Sequence, residues 1–411
     1  MKIWHPFTQE KLVSDPIKIV KGSGEYLYDE NGKKYVDLIS SWWVNILGHS
    51  QPQIAEAIAQ QAKQLEHVIF AGYTHAPAET LVDNLSQYLP NELTKFFFSD
   101  DGSTAVEVAL KISYQYFLNQ GISDRDVFIN LEGGYHGDTI GAMSAAGSAS
   151  EYHAKFKKFF FETYSIKFPT SEEIAKTSID NLIQFLEKNH KKVCALILEP
   201  LVQGAAGMKM YSVDFLDKVV EIVRSYGIIV IFDEVMTGFY RTGTMFAMDQ
   251  IKNIPDIICL SKALTGGFMP MSLTITTQKI YDAFWSDNWE KAFIHGHSYT
   301  ANTIACAAAC VTQKLLHTAE VQSDISRISA LHKLRISQLN SSNIISKRCL
   351  GTISAIDLKS TMLAKEISNT MLQSGFITRP LNNTIYLIPP YCTSSENLNK
   401  AYDIIEQGCL E

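Results

Sequence analysis

The side chains with the clearest capacity for chemistry are an amine and an acid at the ends of two consecutive apolar runs. Lys262 follows Ile257-Ile258-Cys259-Leu260, and Asp233 closes Ile228-Ile229-Val230-Ile231-Phe232, 29 positions earlier. Such a pair suits pyridoxal 5'-phosphate (PLP). The lysine amine forms a Schiff base with the aldehyde, and the carboxylate keeps the pyridine nitrogen protonated so that the ring accepts electrons. Taken singly, either residue fits equally well as a strand-end lysine in solvent or an acid capping the next helix.

Further motifs stand at comparable positions. Ser99-Asp100-Asp101-Gly102-Ser103-Thr104 joins a strand to a helix. Its free amides and two hydroxyls form an anion site for the PLP phosphate, or else a plain helix cap. In Gly133-Gly134-Tyr135-His136-Gly137-Asp138, Tyr135 can stack on the pyridine ring while the glycines let the backbone approach; a packed turn tyrosine is the alternative. Glu199 and Gln203 follow another strand. Gln203 is read as a donor to the PLP phenolic oxygen, or as a turn amide bonded to backbone. Arg241 binds a substrate carboxylate or neutralises Glu199, and the second reading is preferred. Ser298, in His295-Gly296-His297-Ser298, is another phosphate donor candidate. The two histidines lack metal-site spacing and are read as structural.

These residues require a sheet to carry them. Candidate strands are 95–99, 127–131, 193–199, 228–233, 257–260 and 272–276, with amphipathic helices at 103–119 and 214–226. Near-continuous apolar strands alternating with helices predict an α/β fold with a largely parallel sheet covered on both faces. Such a sheet binds ligands at its carboxyl edge, where Asp233 and Lys262 fall. Tyr26–Tyr28, the turn Asn31-Gly32 and Tyr35–Leu38 read as a hairpin. We expect residues 1–50 and 316–411 to form a smaller α/β domain beside a large domain of residues 51–315.

Composition narrows the function class. The chain has 411 residues, 46% hydrophobic, with a net charge of −7 and no long run of one sign. That balance disfavours nucleic-acid and membrane partners and suits a metabolic enzyme. No apolar signal core opens the sequence, and seven cysteines form no CxxC pair, so a cytoplasmic location is expected. No metal site is expected. A dinucleotide oxidoreductase is disfavoured because no GxGxxG follows a strand. A PLP-binding regulator would need a DNA-binding module for which there is neither length nor basic patch.

The ordered segments 101–111 (DGSTAVEVALK), 133–139 (GGYHGDT), 199–204 (EPLVQG), 233–243 (DEVMTGFYRTG), 261–267 (SKALTGG) and 296–302 (GHSYTAN) resemble the class III aminotransferases of PLP fold type I. The resemblance implies that Lys262 is the Schiff-base lysine and Asp233 the pyridinium partner. It implies that Gly102 and Ser103 hold phosphate and that Tyr135 stacks on the ring. Ser298 would then reach the cofactor phosphate of a neighbouring subunit in a homodimer, and Gly296 would contribute to substrate binding. Residues Trp4–Thr8, Ser40–Trp43, Tyr73–Pro77, Thr378–Leu381 and Ile385–Tyr391 are similar to the branch that converts 8-amino-7-oxononanoate to 7,8-diaminononanoate in biotin synthesis. That substrate needs an aromatic channel, for which Trp42, Trp43 and Tyr386 are candidates, and a cation at the far end, for which Arg379 is. On a strand, one of the adjacent tryptophans would point to the core. Two departures bear on the amino donor. Phe7 stands where the family often has tyrosine, and His297-Ser298 where some members have Pro-Thr. S-adenosylmethionine is the expected donor and lysine the alternative, with ornithine, 4-aminobutyrate or β-alanine enzymes of the same family as rivals.

Overall fold

The computed structural model describes residues 2–147 and 153–410. Its centre is a seven-stranded sheet whose spatial order is Leu93–Ser99, Ser272–Thr277, Ile257–Leu260, Ile229–Asp233, Val193–Leu198, Val127–Leu131 and Thr163–Ile166. All neighbours pair in parallel except Ser272–Thr277, which is antiparallel on both sides. Five-residue runs such as Ile229–Asp233 are buried throughout, which explains their continuous apolar character: helices cover both faces. Asp233 pairs with Cys259, so the acid and Lys262 leave the sheet from adjacent strands at the same edge.

Helix Gly102–Leu118 begins at that edge. Asp101 caps it, accepting the Thr104 N–H while the Thr104 hydroxyl accepts the Asp101 N–H. One of the two hydroxyls proposed for an anion site is therefore engaged in the cap, and Ser103 alone remains. Helix Val213–Ser225 buries Phe215, Leu216, Val219, Val220, Ile222 and Val223 against the sheet. Gly227, at φ +69°, turns the chain into the strand that ends at Asp233.

Both chain ends meet in a second layer of structure. The hairpin strands Tyr26–Asp29 and Lys34–Asp37 share a sheet with Phe376–Ile377, which runs parallel to the latter. Val36 and Leu38 lie in one apolar cluster with Ile356, Ile385 and Leu398. This joins the N-terminal hairpin to the strands Ile353–Leu358 and Thr384–Leu387 and to helix Ser395–Leu410.

The expectation of a strand at Trp42-Trp43 is not met. Ser40, Ser41, Trp42 and Trp43 have φ of 49°, 45°, 70° and 73°, a left-handed helical turn built without glycine. The hand is unfavourable by roughly 1–2 kcal/mol per residue, so the surroundings must hold it. The Ser40 hydroxyl donates to the Ile388 carbonyl (2.7 Å) and the Ser41 hydroxyl to Asp37 Oδ2 (2.8 Å). Asp37 Oδ1 accepts the Ile39 N–H (3.1 Å), and His49 Nε2 lies 2.9 Å from Oδ2. Trp43 is buried and Trp42 is 38% exposed. Asp37→Ala is expected to destabilise the fold by about 1–3 kcal/mol, the value of stranding buried polar partners. A lowered urea midpoint with unchanged slope checks it.

Candidate active site

Two connected spaces lie at the carboxyl edge of the large sheet. The inner one, ≈ 430 Å³, is lined by Gly102, Ser103, Tyr135, Glu199, Asp233 and Lys262. The outer one, ≈ 680 Å³, is lined by Phe7, Trp42, Arg379, Leu381 and Tyr386. Trp43, Val44, Tyr135 and Lys262 border both. The two thus form one cleft, with Lys262 where they meet.

Lys262 sits at φ +45°, a backbone conformation strained for any residue with a β-carbon, at the start of a short helical turn after its strand. Its Nζ lies 4.8 Å from the centroid of a Trp43 ring. Burial lowers its pKa, while the charges of Asp233 and Glu199 oppose that shift. Desolvation is the larger effect, and it favours the neutral, nucleophilic amine.

Asp233 is buried, and its Oδ2 lies 2.7 Å from His136 Nδ1. His136 follows Tyr135 in the glycine-dense loop, and sequence reasoning gave it no role. A histidine beside the stacking candidate was the available signal, but only the sheet brings loop 133–138 over the end of the neighbouring strands. Among the described residues, nothing hydrogen-bonds His136 Nε2. Tyr135 stacks on His153 (centroids 5.5 Å apart, 28°). Burial raises its pKa, and Asp138, to which its side chain is hydrogen-bonded, raises it further. The His153 hydrogen bond is the largest influence holding Asp138 below the usual carboxylate range.

Gly102 and Ser103 occupy the first turn of their helix. A β-carbon on Gly102 would come within 2.7 Å of Val235, and one on Gly137 within 2.0 Å of Ser103 Oγ. Only glycine permits backbone this close on both sides of the inner space. The Asp138 N–H donates to Ser103 Oγ at 3.2 Å.

Two expectations need correction. Arg241 does not neutralise Glu199. It is fully buried, donates from Nη1 to the Pro389 carbonyl (2.8 Å) and lies over the Tyr391 ring (5.2 Å). The strand-to-loop segment 388–391, distant in sequence, captures it. Glu199 instead accepts the backbone N–H groups of Tyr135 and Gly204. Gln203 adopts its backbone-bonded alternative, its amide donating to the Leu131 (3.3 Å) and Glu132 (3.2 Å) carbonyls, and it does not border the inner space.

At the outer end, Arg379 lies 4.8 Å over the Trp42 ring and donates to the Phe7 carbonyl at 3.2 Å. The Phe7 ring meets Trp42 edge-on at 5.5 Å. Trp43 Nε1 donates to the Tyr386 hydroxyl (3.2 Å). Gly296 and Ser298 are exposed and border neither space of their own chain. His297 Nε2 lies 3.5 Å from Asp100 Oδ1, at the start of the helix loop.

The residues present fit PLP. A half-buried amine, a fixed buried acid, an aromatic plate and a glycine-lined helix start surround one space, and a neighbouring imidazole nitrogen has no hydrogen-bond partner among the described residues. The chain is 43% identical to the adenosylmethionine-8-amino-7-oxononanoate aminotransferase of Synechococcus elongatus, over 98% of this chain and 97% of that one. It is 37% identical to the Helicobacter pylori enzyme of that name, over 97% and 94%. The crystal structure of the Methanocaldococcus jannaschii enzyme of that name superimposes with a TM-score of 0.93 at 35% identity, covering 99% of this chain and 96% of that one. A PLP-bound amine transaminase from an uncultivated Pseudomonas species gives 0.92 at 26% identity, over 100% and 98%. The lysine, acid and glycine-lined loops all lie within residues 8–409, which the aminotransferase class-III family matches as one unit, and to that family the chain belongs.

Proposed function

We propose that the chain transfers an amino group, with PLP, to 8-amino-7-oxononanoate and forms 7,8-diaminononanoate. One observation carries this: a single cleft has the Lys262 amine at the junction of its inner and outer spaces, aromatic walls along it and the Arg379 guanidinium in its outer part. A long apolar chain ending in a carboxylate matches that order of surfaces.

When bound, PLP supplies an aldehyde that accepts the donor's nitrogen and a ring that takes up the electron pair left on the α-carbon. Lys262 would hold the aldehyde carbon until the donor is bound. Its freed neutral amine then removes the α-proton, and its tether beside the reacting carbon replaces a diffusing base. Asp233 holds the proton on the ring nitrogen, and His136 fixes the carboxylate that does so. Gly102 and Ser103 hold the phosphate and Tyr135 flanks the ring. Trp43 excludes water from the inner end, and Tyr386 holds its indole in place.

Arg379 binds the substrate carboxylate. Arg379→Ala is expected to raise KM for 8-amino-7-oxononanoate about 10-fold or more, with a smaller change in kcat, because a charged hydrogen bond of about 1.5–3 kcal/mol is lost. Steady-state kinetics with this acceptor against 4-aminobutyrate and ornithine tests the assignment. Turnover of only the short amines would refute it.

S-adenosylmethionine is the donor in this reading, as the relatives' names support. Lysine is the second reading, favoured by Phe7, whose ring gives the outer space no hydroxyl. A stopped-flow half-reaction with each donor decides between them. The exposed Gly296 and Ser298 serve the neighbouring subunit of a homodimer, and exposed Ile69, Tyr73, Ile294 and Tyr299 support such an interface. Seven free cysteines support a cytoplasmic site of action.

A further inference from the structure

Glu199 has a geometry that neither the cofactor nor the substrate assignment uses. It directly follows strand Val193–Leu198, borders the inner space and is 5% exposed. Its Oε1 accepts the Tyr135 N–H at 3.0 Å and its Oε2 the Gly204 N–H at 2.9 Å. Its main-chain carbonyl accepts the Tyr211 hydroxyl at 2.6 Å. The loops it joins carry the two aromatic walls. Tyr135 is one wall itself. Gly204 backs the other: a β-carbon there would stand 3.1 Å from Met236 Cε and 3.2 Å from Trp43 Cζ3. A single carboxylate therefore fixes the spacing between the tyrosine and the tryptophan that border both halves of the cleft.

We propose that Glu199 is a positioning residue: its ionised carboxylate clamps the Tyr135 and Gly204 loops together, and protonation releases the clamp. A carboxylate accepts two N–H groups at once, whereas a neutral acid turns one of its oxygens into a donor and meets one of those amides poorly. Burial pushes the Glu199 carboxyl up to about 7, with Asp233 adding to the rise; His136 and the two amides act against it. Lys262 also senses this charge, as do the hydroxyls of Tyr135 and Tyr211. The clamp is closed above that midpoint and opens as pH falls through it.

The inference rests on the transaminase reading for its kinetic consequence, but its first test does not involve turnover. In holoenzyme labelled with ¹⁵N-tyrosine and ¹⁵N-glycine, the amide resonances of Tyr135 and Gly204 are expected to shift together with one midpoint near neutrality. Glu199→Gln should abolish that common transition. Amides that stay fixed between about pH 6 and 8, or that titrate separately, would overturn the clamp, and this measurement needs only the wild-type chain.

The second test is kinetic. Wild-type kcat/KM for 8-amino-7-oxononanoate should fall about tenfold as pH drops through the midpoint and then level off, the profile of one ionisation that positions the walls. In Glu199→Gln this acid limb should vanish, leaving a flat profile and a KM raised about tenfold, since wall displacement weakens substrate orientation. Persistence of the acid limb in the variant would refute the proposal. Co-titrating amides in a protein that never turns over 8-amino-7-oxononanoate would support the clamp and reject the substrate assignment instead.

Discussion

Replacing Lys262 by alanine is expected to lower turnover about 10⁴-fold, the upper range for removal of a positioned acid–base group. PLP should still bind, through the phosphate loop and Asp233. The variant should therefore stay yellow while failing both half-reactions. Three features of the wild-type residue explain so large an effect. Burial favours the neutral amine, the strained backbone fixes its direction, and Trp43 shields it from water. Exogenous methylamine should restore part of the rate, because a diffusible base replaces the lost amine without its tether. Single-turnover absorbance measurements check both outcomes, and near-normal turnover in the variant would remove Lys262 from the mechanism.

Asp233→Ala carries the second-largest expected loss. Removing one partner of a buried charged pair is unfavourable by about 3–5 kcal/mol, which corresponds to roughly 10²- to 5 × 10³-fold in rate. The acid has two attachments to lose. His136 Nδ1 lies 2.7 Å from one oxygen, and the Val235 N–H donates to the other at 3.1 Å. The second anchors the loop beside Gly102, since Val235 is what a β-carbon on Gly102 would strike. Lowered kcat with weaker cofactor retention on gel filtration is the expected pattern. Asp233→Glu should recover little, because the longer chain cannot keep both contacts. Unchanged kcat in the alanine variant would show that the ring nitrogen is held elsewhere.

Local pattern made much of this architecture legible. Strand Ile229–Asp233 is readable as an unbroken apolar run and helix Val213–Ser225 as a helical apolar period, and the acid and amine follow from where such strands end. The residues that resisted reading depend on segments remote in sequence. Arg241 carries no mark in its own motif of the Pro389 carbonyl that captures it. Gln203 is surrounded by turn residues whether it faces a ligand or the Leu131 carbonyl, so the sequence left both options standing. His136 gains its meaning only from Asp233, 97 positions away. The turn at Ser40–Trp43 escapes a reading from sequence for another reason: the usual sign of left-handed backbone is glycine, and none is present.

That turn limits which amino acids the cleft wall tolerates. Handedness of the backbone acts on positions 40 to 43 before any fit to a ligand does. β-branched replacements at Trp42 or Trp43 meet a conformational penalty even where their volume suits the substrate, whereas glycine and asparagine enter freely. A library meant to widen the accepted ketones should therefore draw on an alphabet chosen for torsion angles first and side-chain size second.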